Sequence, residues 1–269
     1  MARTRRLKRC DTGTAYYHLM SRTNDKRHLF SKGATKTDLV GALRRAAEFS
    51  GIKLRAYAAL DNHFHVICEV TRSDDPVPEA ELLRRYAIIK GERAALALAE
   101  LWHELAAAGM HATLEAEHER LRRRMNDISE FMKTFKEIFD REFKRVQGYC
   151  GSIWSGRFKS TMIESGEYLA VCKRYVMMNP VRAGLVTQVK DYRWVWSEDE
   201  TEGEGAAQDA RVMKRLAQIG EGKILGSEEF VRQWLFGMGS RLKTRTVAAY
   251  RVADWAYSSH GWRLAKTGA

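Results

Sequence analysis

Residues 61–70 read DNHFHVICEV, with two of the chain's eight histidines separated by one bulky residue. Phe64, Val66, Ile67 and Val70 are aromatic or β-branched, which favours a strand. Side chains alternate between the faces of a strand, so His63, His65, Ile67 and Glu69 point one way. Phe64, Val66, Cys68 and Val70 point the other way, and that face is core material. In a helix the imidazoles would stand about 200° apart and could not share a ligand. On a strand they sit side by side, close enough for one cation, with Glu69 as a reserve ligand. The plainer alternative is a half-exposed strand whose two histidines are solvated or hydrogen-bonded.

The flanks support the strand. AYYHLMSR (15–22) has strand character, and TKTDLVGALRRAAEFS (35–50) carries apolar residues at helical spacing, with Gly51 placed as its C-terminal cap. IKLRAYAAL (52–60) forms a second strand, which Asp61 and Asn62 turn into the histidine strand. Strand-helix-strand-strand predicts an α/β (α+β) fold on a largely antiparallel sheet. TRSDDPVP (71–78) then breaks the pattern, and Ala-, Leu-, Arg- and Glu-rich sequence to about residue 126 predicts a helical insertion. His103, His111 and His118 fall on these charged helices and are expected in solvent.

ISEFMKTFKEIFDREFKRV (128–146) is amphipathic, with Phe131, Phe135, Ile138, Phe139 and Phe143 as its core face. SIWSGRFKSTMIES (152–165) leads from a loop into a strand, with Arg157 and Lys159 alternating on one face of it. Ser165 is placed to cap the next helix, which Pro180 is expected to end. The boundaries that follow are a basic arm at 1–13, a principal domain at 14–73 and 127–197, and the insertion at 74–126. An acidic linker at 198–209 and a basic C-terminal extension at 210–269 complete the chain. The extension mixes Trp255, Tyr257 and Trp262 with basic residues, which suits either nucleic-acid contact or a small packed helical tail.

Composition narrows the partners. Among 269 residues, 46 Lys and Arg outweigh 34 Asp and Glu, giving a net charge of +12 that points to a polyanion. No apolar run is long enough to span a membrane, and the basic start MARTRRLKRC lacks the apolar stretch of a secretory signal. Cys10, Cys68, Cys150 and Cys172 form no CxxC pair, so neither a zinc site nor a disulfide framework is expected. A reduced, cytoplasmic, nucleoid-associated protein without a membrane partner is the expectation.

Residues 166–179 answer the histidines. On a helical wheel Tyr168, Cys172, Tyr175 and Asn179 form one stripe between apolar flanks, with Lys173 and Arg174 on the solvent side. A phenol and a carboxamide on a core-facing stripe need partners, because burying each unpaired costs on the order of 1–3 kcal/mol. They could bond to backbone inside the core. Alternatively the stripe faces the histidine strand, where Asn179 adds an oxygen ligand and Tyr175 a nucleophile. Two imidazoles and a carboxamide oxygen suit Mg²⁺ or Mn²⁺.

At this point YYHLMSRTNDKRHLF, YAALDNHFHVICE, SIWSGRFKSTMIES and RYVMMNPVRAGLV, in that order, resemble the bacterial REP-associated tyrosine transposases, a branch of the single-tyrosine HUH transposases. Thr23 stands where that family usually has glycine, and the insertion is long for the family. The resemblance implies an HUH-type sheet flanked by helices, with His63, His65 and Asn179 as metal ligands and Tyr175 as nucleophile. It implies cleavage and rejoining of single-stranded DNA beside REP-like hairpins through a 5′-phosphotyrosine intermediate. Arg157, Lys159 and Arg22 are the expected phosphate contacts near the site. Arg3, Arg5, Arg6, Lys8 and Arg9 are expected to bind DNA as flexible charge, in a monomer or a homodimer. Other readings are a domesticated, non-cleaving hairpin-binding regulator and an HUH relaxase or replication initiator.

Overall fold

Strand β1 (Gly13–Arg22) buries Ala15, Tyr17, Leu19 and Ser21 at alternate positions, the period of a strand in the middle of a sheet. It pairs antiparallel with β3 (His63–Arg72) on one side and β4 (Lys159–Ile163) on the other. Beyond β3 lie β2 (Lys53–Ala59) and β5 (Val195–Ser197), both antiparallel, and β6 (Ile224–Leu225) adds to β4 in parallel. The order is β5-β2-β3-β1-β4-β6 in this computed structural model, which describes residues 13–199, 224–227 and 229–230 and the backbone of 255–258 and 261–264. The fold is therefore the mixed α/β, mostly antiparallel sheet read from the sequence. Of the arm at 1–13 only Gly13 is described, so Arg3, Arg5, Arg6, Lys8 and Arg9 lie outside the described residues, as does most of the chain from 200 onward.

Helices cover both faces. Helix α1 (Gly33–Ser50) and helix α5 (Ile128–Gln147) pack on the face carrying Phe64, Val66, Cys68 and Val70, the face the alternation assigns to the core. Phe135, Phe139 and Trp154 close it, with Phe64 and Phe135 edge-to-face at 5.0 Å. Asp127 caps α5 by accepting from the backbone N–H of Ser129 and Glu130 at 2.7 and 3.1 Å.

Between β3 and α5 lie α2 (Glu79–Lys90), α3 (Glu92–Ala107) and α4 (His111–Arg122). Leu82, Leu98, Trp102, Leu121 and Met125 make a separate core with Phe49 at the end of α1. Gly51 caps α1 at φ 66°, a left-handed conformation that favours glycine, with the Arg85 and Asn126 side chains packed against it. His118 is buried rather than solvated: its ring stands edge-on to Trp102 at 4.4 Å, with Nε2 3.2 Å from Glu79. The three helices enclose their own apolar cluster, and His118 falls on its rim.

Helix α6 (Glu167–Met177) crosses the second face, and α7 (Asn179–Arg182) follows after one residue. Gly166, at φ 74°, is the residue before α6, and no side chain caps the helix, contrary to the expectation for Ser165. Leaving β4 for α6 requires a backbone bend that only glycine takes without strain. Pro180 does not end the helical path either. It occupies the first turn of α7, where a missing N–H costs nothing.

Two further expectations change. Lys173 is 6% exposed, because β5 carries Glu198 and Asp199 over α6 and both pair with its ammonium. In the C-terminal extension, β7 (Trp255–Ser258) and β8 (Gly261–Leu264) form an antiparallel pair with Tyr257 opposite Trp262, where a packed helical tail was one expectation.

Candidate active site

The second face of the sheet becomes a site because small residues let a helix approach it. Ala56 and Ala58 of β2 are fully buried under Leu169, Cys172, Tyr175 and Val176 of α6. Ala58 pairs in register with His65, so α6 comes down beside the histidine strand. That brings Tyr175 to His65, with ring centroids 5.7 Å apart and planes at 89°.

The strand register supplies a histidine that local sequence does not reveal. Tyr16, His18, Met20 and Arg22 of β1 stand opposite Glu69, Ile67, His65 and His63. His18 Nε2 lies 2.8 Å from His65 Nδ1, and the rings stack at 5.0 Å with 16° between planes. Tyr175 meets this second ring edge-on at 6.0 Å, so its phenol stands across both imidazoles. The alternation of β1 places His18 off the core face. Only the pairing with β3 places it beside His65.

His63 and His65 are 5.1 Å apart between centroids. His63 Nδ1 is 2.7 Å from Asn62 Oδ1, while Asn62 Nδ2 donates to the Lys26 carbonyl at 3.1 Å. The amide orientation is therefore fixed, the oxygen faces His63, and Nδ1 of His63 must be the donor. Its Nε2 keeps a lone pair.

The imidazoles are held neutral. Burial pulls the pKa of His18 down to about 4. Burial, reinforced by the Arg22 charge, does the same to His63. His65 falls well below the usual range through burial, its two histidine neighbours, Arg22 and Arg182. Neutral imidazole is the form that ligates a metal. Asn179 is 8% exposed, and its amide nitrogen donates to the Tyr175 carbonyl at 2.8 Å, leaving Oδ1 as the atom for another partner. His63, His65 and Asn179 thus offer two imidazoles and a carboxamide oxygen, donor types that suit a hard divalent cation. Among the described residues no three His, Cys, Asp or Glu side chains form a group that could hold a metal ion.

Glu69 is not a reserve ligand. Arg55 and Lys53 hold its carboxylate, Arg55 Nε at 2.9 Å and Lys53 at 3.4 Å, and roughly 13 Å of strand separates it from His65. Tyr168, the other phenol of the stripe, has its pKa pushed up to about 12 by burial and by Glu164 and Glu167. That environment opposes a phenolate nucleophile.

The expected cations divide. Arg22 stands in register with His63. Lys159 opens β4 opposite Met20, on the site face, and is exposed. Arg157 is not on that strand but in an exposed bend two residues before it, because Phe158 turns into the core. Arg182, which the stripe did not include, lies with its guanidinium 5.0 Å from the Tyr175 ring centroid. Its position seven residues after Tyr175 places it two turns on, once the helical path continues through α7.

No family model matches the chain, and no curated protein matches it. Among solved structures it is similar to a REP-associated tyrosine transposase bound to a REP hairpin, at 16% identity and a TM-score of 0.45 over 76% of this chain and 96% of that one. A protein of Deinococcus radiodurans R1 with a provisional transposase name is similar at 13% identity and a TM-score of 0.33, over 64% of this chain and 95% of that one. Among the described residues no helix is long and apolar enough to cross a membrane.

Proposed function

We propose that the chain is a metal-dependent tyrosine transposase of the HUH kind, which cleaves and rejoins single-stranded DNA beside hairpins through a 5′-phosphotyrosine link. The observation that carries this reading is the Tyr175 ring set across two neutral, partnered histidines and under Arg182. The sequence motifs and the charge of +12 agree with it.

His63, His65 and Asn179 are the residues that would hold Mg²⁺ or Mn²⁺, whose contribution when bound is Lewis-acid polarisation of a phosphodiester. The Tyr175 oxygen attacks phosphorus, forming the Oη–P bond as the P–O3′ bond breaks. The phenol gives up one proton and the departing 3′ oxygen gains one, so the step is neutral overall. Attack by a 3′-hydroxyl on the phosphotyrosine reverses it and rejoins a strand without an external energy source. Arg182, over the Tyr175 ring, and Arg22, in register with His63, are available to offset charge on the non-bridging oxygens. Lys159, at the start of β4, and Arg157, in the bend before it, add exposed positive charge for the DNA strand.

Incubation with a single-stranded oligonucleotide bearing a hairpin, in Mn²⁺, tests the reading on a denaturing gel. A covalent adduct in wild type that is absent in Tyr175→Phe is the expected result. Hairpin binding without any adduct would instead indicate a non-cleaving DNA-binding protein.

A further inference from the structure

His18 has no part in the chemistry above, yet it is the nearest hydrogen-bonding group to His65. Its Nε2 is 2.8 Å from His65 Nδ1 with the rings nearly parallel, so one hydrogen lies between two nitrogens. Two assignments are open to such a pair. If His18 donates, His65 must carry its proton on Nε2 and has no lone pair left to offer a cation. If His65 donates from Nδ1, its Nε2 is free, as at His63, where the fixed Asn62 amide already imposes that tautomer.

We propose that His18 is a positioning residue, the acceptor that holds His65 in the Nδ1–H tautomer and fixes its ring for metal binding. This rests on the metal reading proposed above. His18 is not itself a third ligand, because its Nε2 is occupied by the bond to His65. The placement is built into the sheet: His18 is a central-strand residue flanked in register by Ile67 and Thr161, while Met20 takes the position directly opposite His65. The imidazole therefore reaches His65 diagonally, with the Tyr175 ring edge-on to both. An outer partner of a metal-binding histidine is commonly worth about 10–100-fold in metal affinity.

The test is Mn²⁺ titration by calorimetry on the 269-residue chain at fixed pH. His18→Phe keeps a flat ring without an acceptor and is expected to weaken binding about 10–100-fold. His18→Gln restores an acceptor oxygen and is expected to recover most of that loss, which a merely space-filling role would not produce. Equal affinity in His18→Phe and wild type, or equal loss in both variants, would overturn the proposal. ¹⁵N chemical shifts of wild type without metal give a readout independent of either variant folding: Nδ1–H at His65 supports the assignment and Nε2–H overturns it. The double variant His63→Ala/His65→Ala separates the two levels. If it binds Mn²⁺ as wild type does, the metal reading itself fails, whatever His18 does.

Discussion

On the proposed reading, a single oxygen at Tyr175 separates cleavage from binding. Tyr175→Phe removes the nucleophile and leaves the ring against His18 and His65, so the adduct should fall below detection while hairpin affinity stays within about twofold. Tyr168→Phe should retain adduct formation, since Glu164 and Glu167 already disfavour a phenolate there. An adduct lost only in Tyr168→Phe would reverse the assignment. The same buried imidazoles make stability depend on pH. Their pKa values are depressed on folding, His18 and His63 to about 4 and His65 below its usual range. Between about pH 6.5 and pH 4 the unfolded chain therefore binds protons that the fold refuses. Unfolding free energy should be highest above pH 6.5 and fall through that window, each histidine adding up to about 1.4 kcal/mol per pH unit. Urea melts in a chelator at pH 7.5 and pH 4.5 would show it, and His63→Gln should flatten the profile. A profile already flat in wild type would contradict buried, neutral histidines.

The site at element scale is a contact between helix and sheet. Helix α6 reaches the histidine strand because Ala56 and Ala58 leave room beneath Cys172 and Tyr175. Ala58→Leu adds volume where nothing can yield easily, and overpacking of that kind costs about 1–3 kcal/mol. It should also lift α6 from β3, so adduct formation should fall much more than DNA binding. Unchanged melting and unchanged cleavage in Ala58→Leu would show that the helix does not depend on this close approach. The helix is also tied from behind. Lys173 pairs with Glu198 and Asp199, and Arg55 bridges Glu69 to Glu198, so one ionic chain joins β2, β3, α6 and the end of β5. That chain explains why Glu69, on the histidine face by alternation, is unavailable to a metal.

Over the whole molecule, a net charge of +12 gives attraction to any phosphate chain, whereas the proposed cleavage would draw on cations beside Tyr175. Deleting residues 1–9 removes Arg3, Arg5, Arg6, Lys8 and Arg9 and should lower affinity for single strands without lowering cleavage at saturating DNA. The slope of log affinity against log salt should flatten by roughly 0.7 for each phosphate the arm no longer neutralises. Loss of cleavage at saturation would move the arm into the site. Much of this was legible in the chain. Period two put His63 and His65 on one face and Phe64 and Val66 on the other, and period 3.6 aligned Tyr175 with Asn179, because alternation and helical turn are properties of neighbouring residues. Residues far apart in the chain meet only through register and packing. His18 reached His65 through the pairing of β1 with β3, Lys173 was buried by a strand arriving after residue 194, and Gly166 took the cap because of the bend out of β4. The sequence by itself determined the principal strands and helices and the shared faces of His63 with His65 and of Tyr175 with Asn179. The tertiary structure decided which faces meet, because strand register and helix docking are set by long-range packing that local periodicity does not encode.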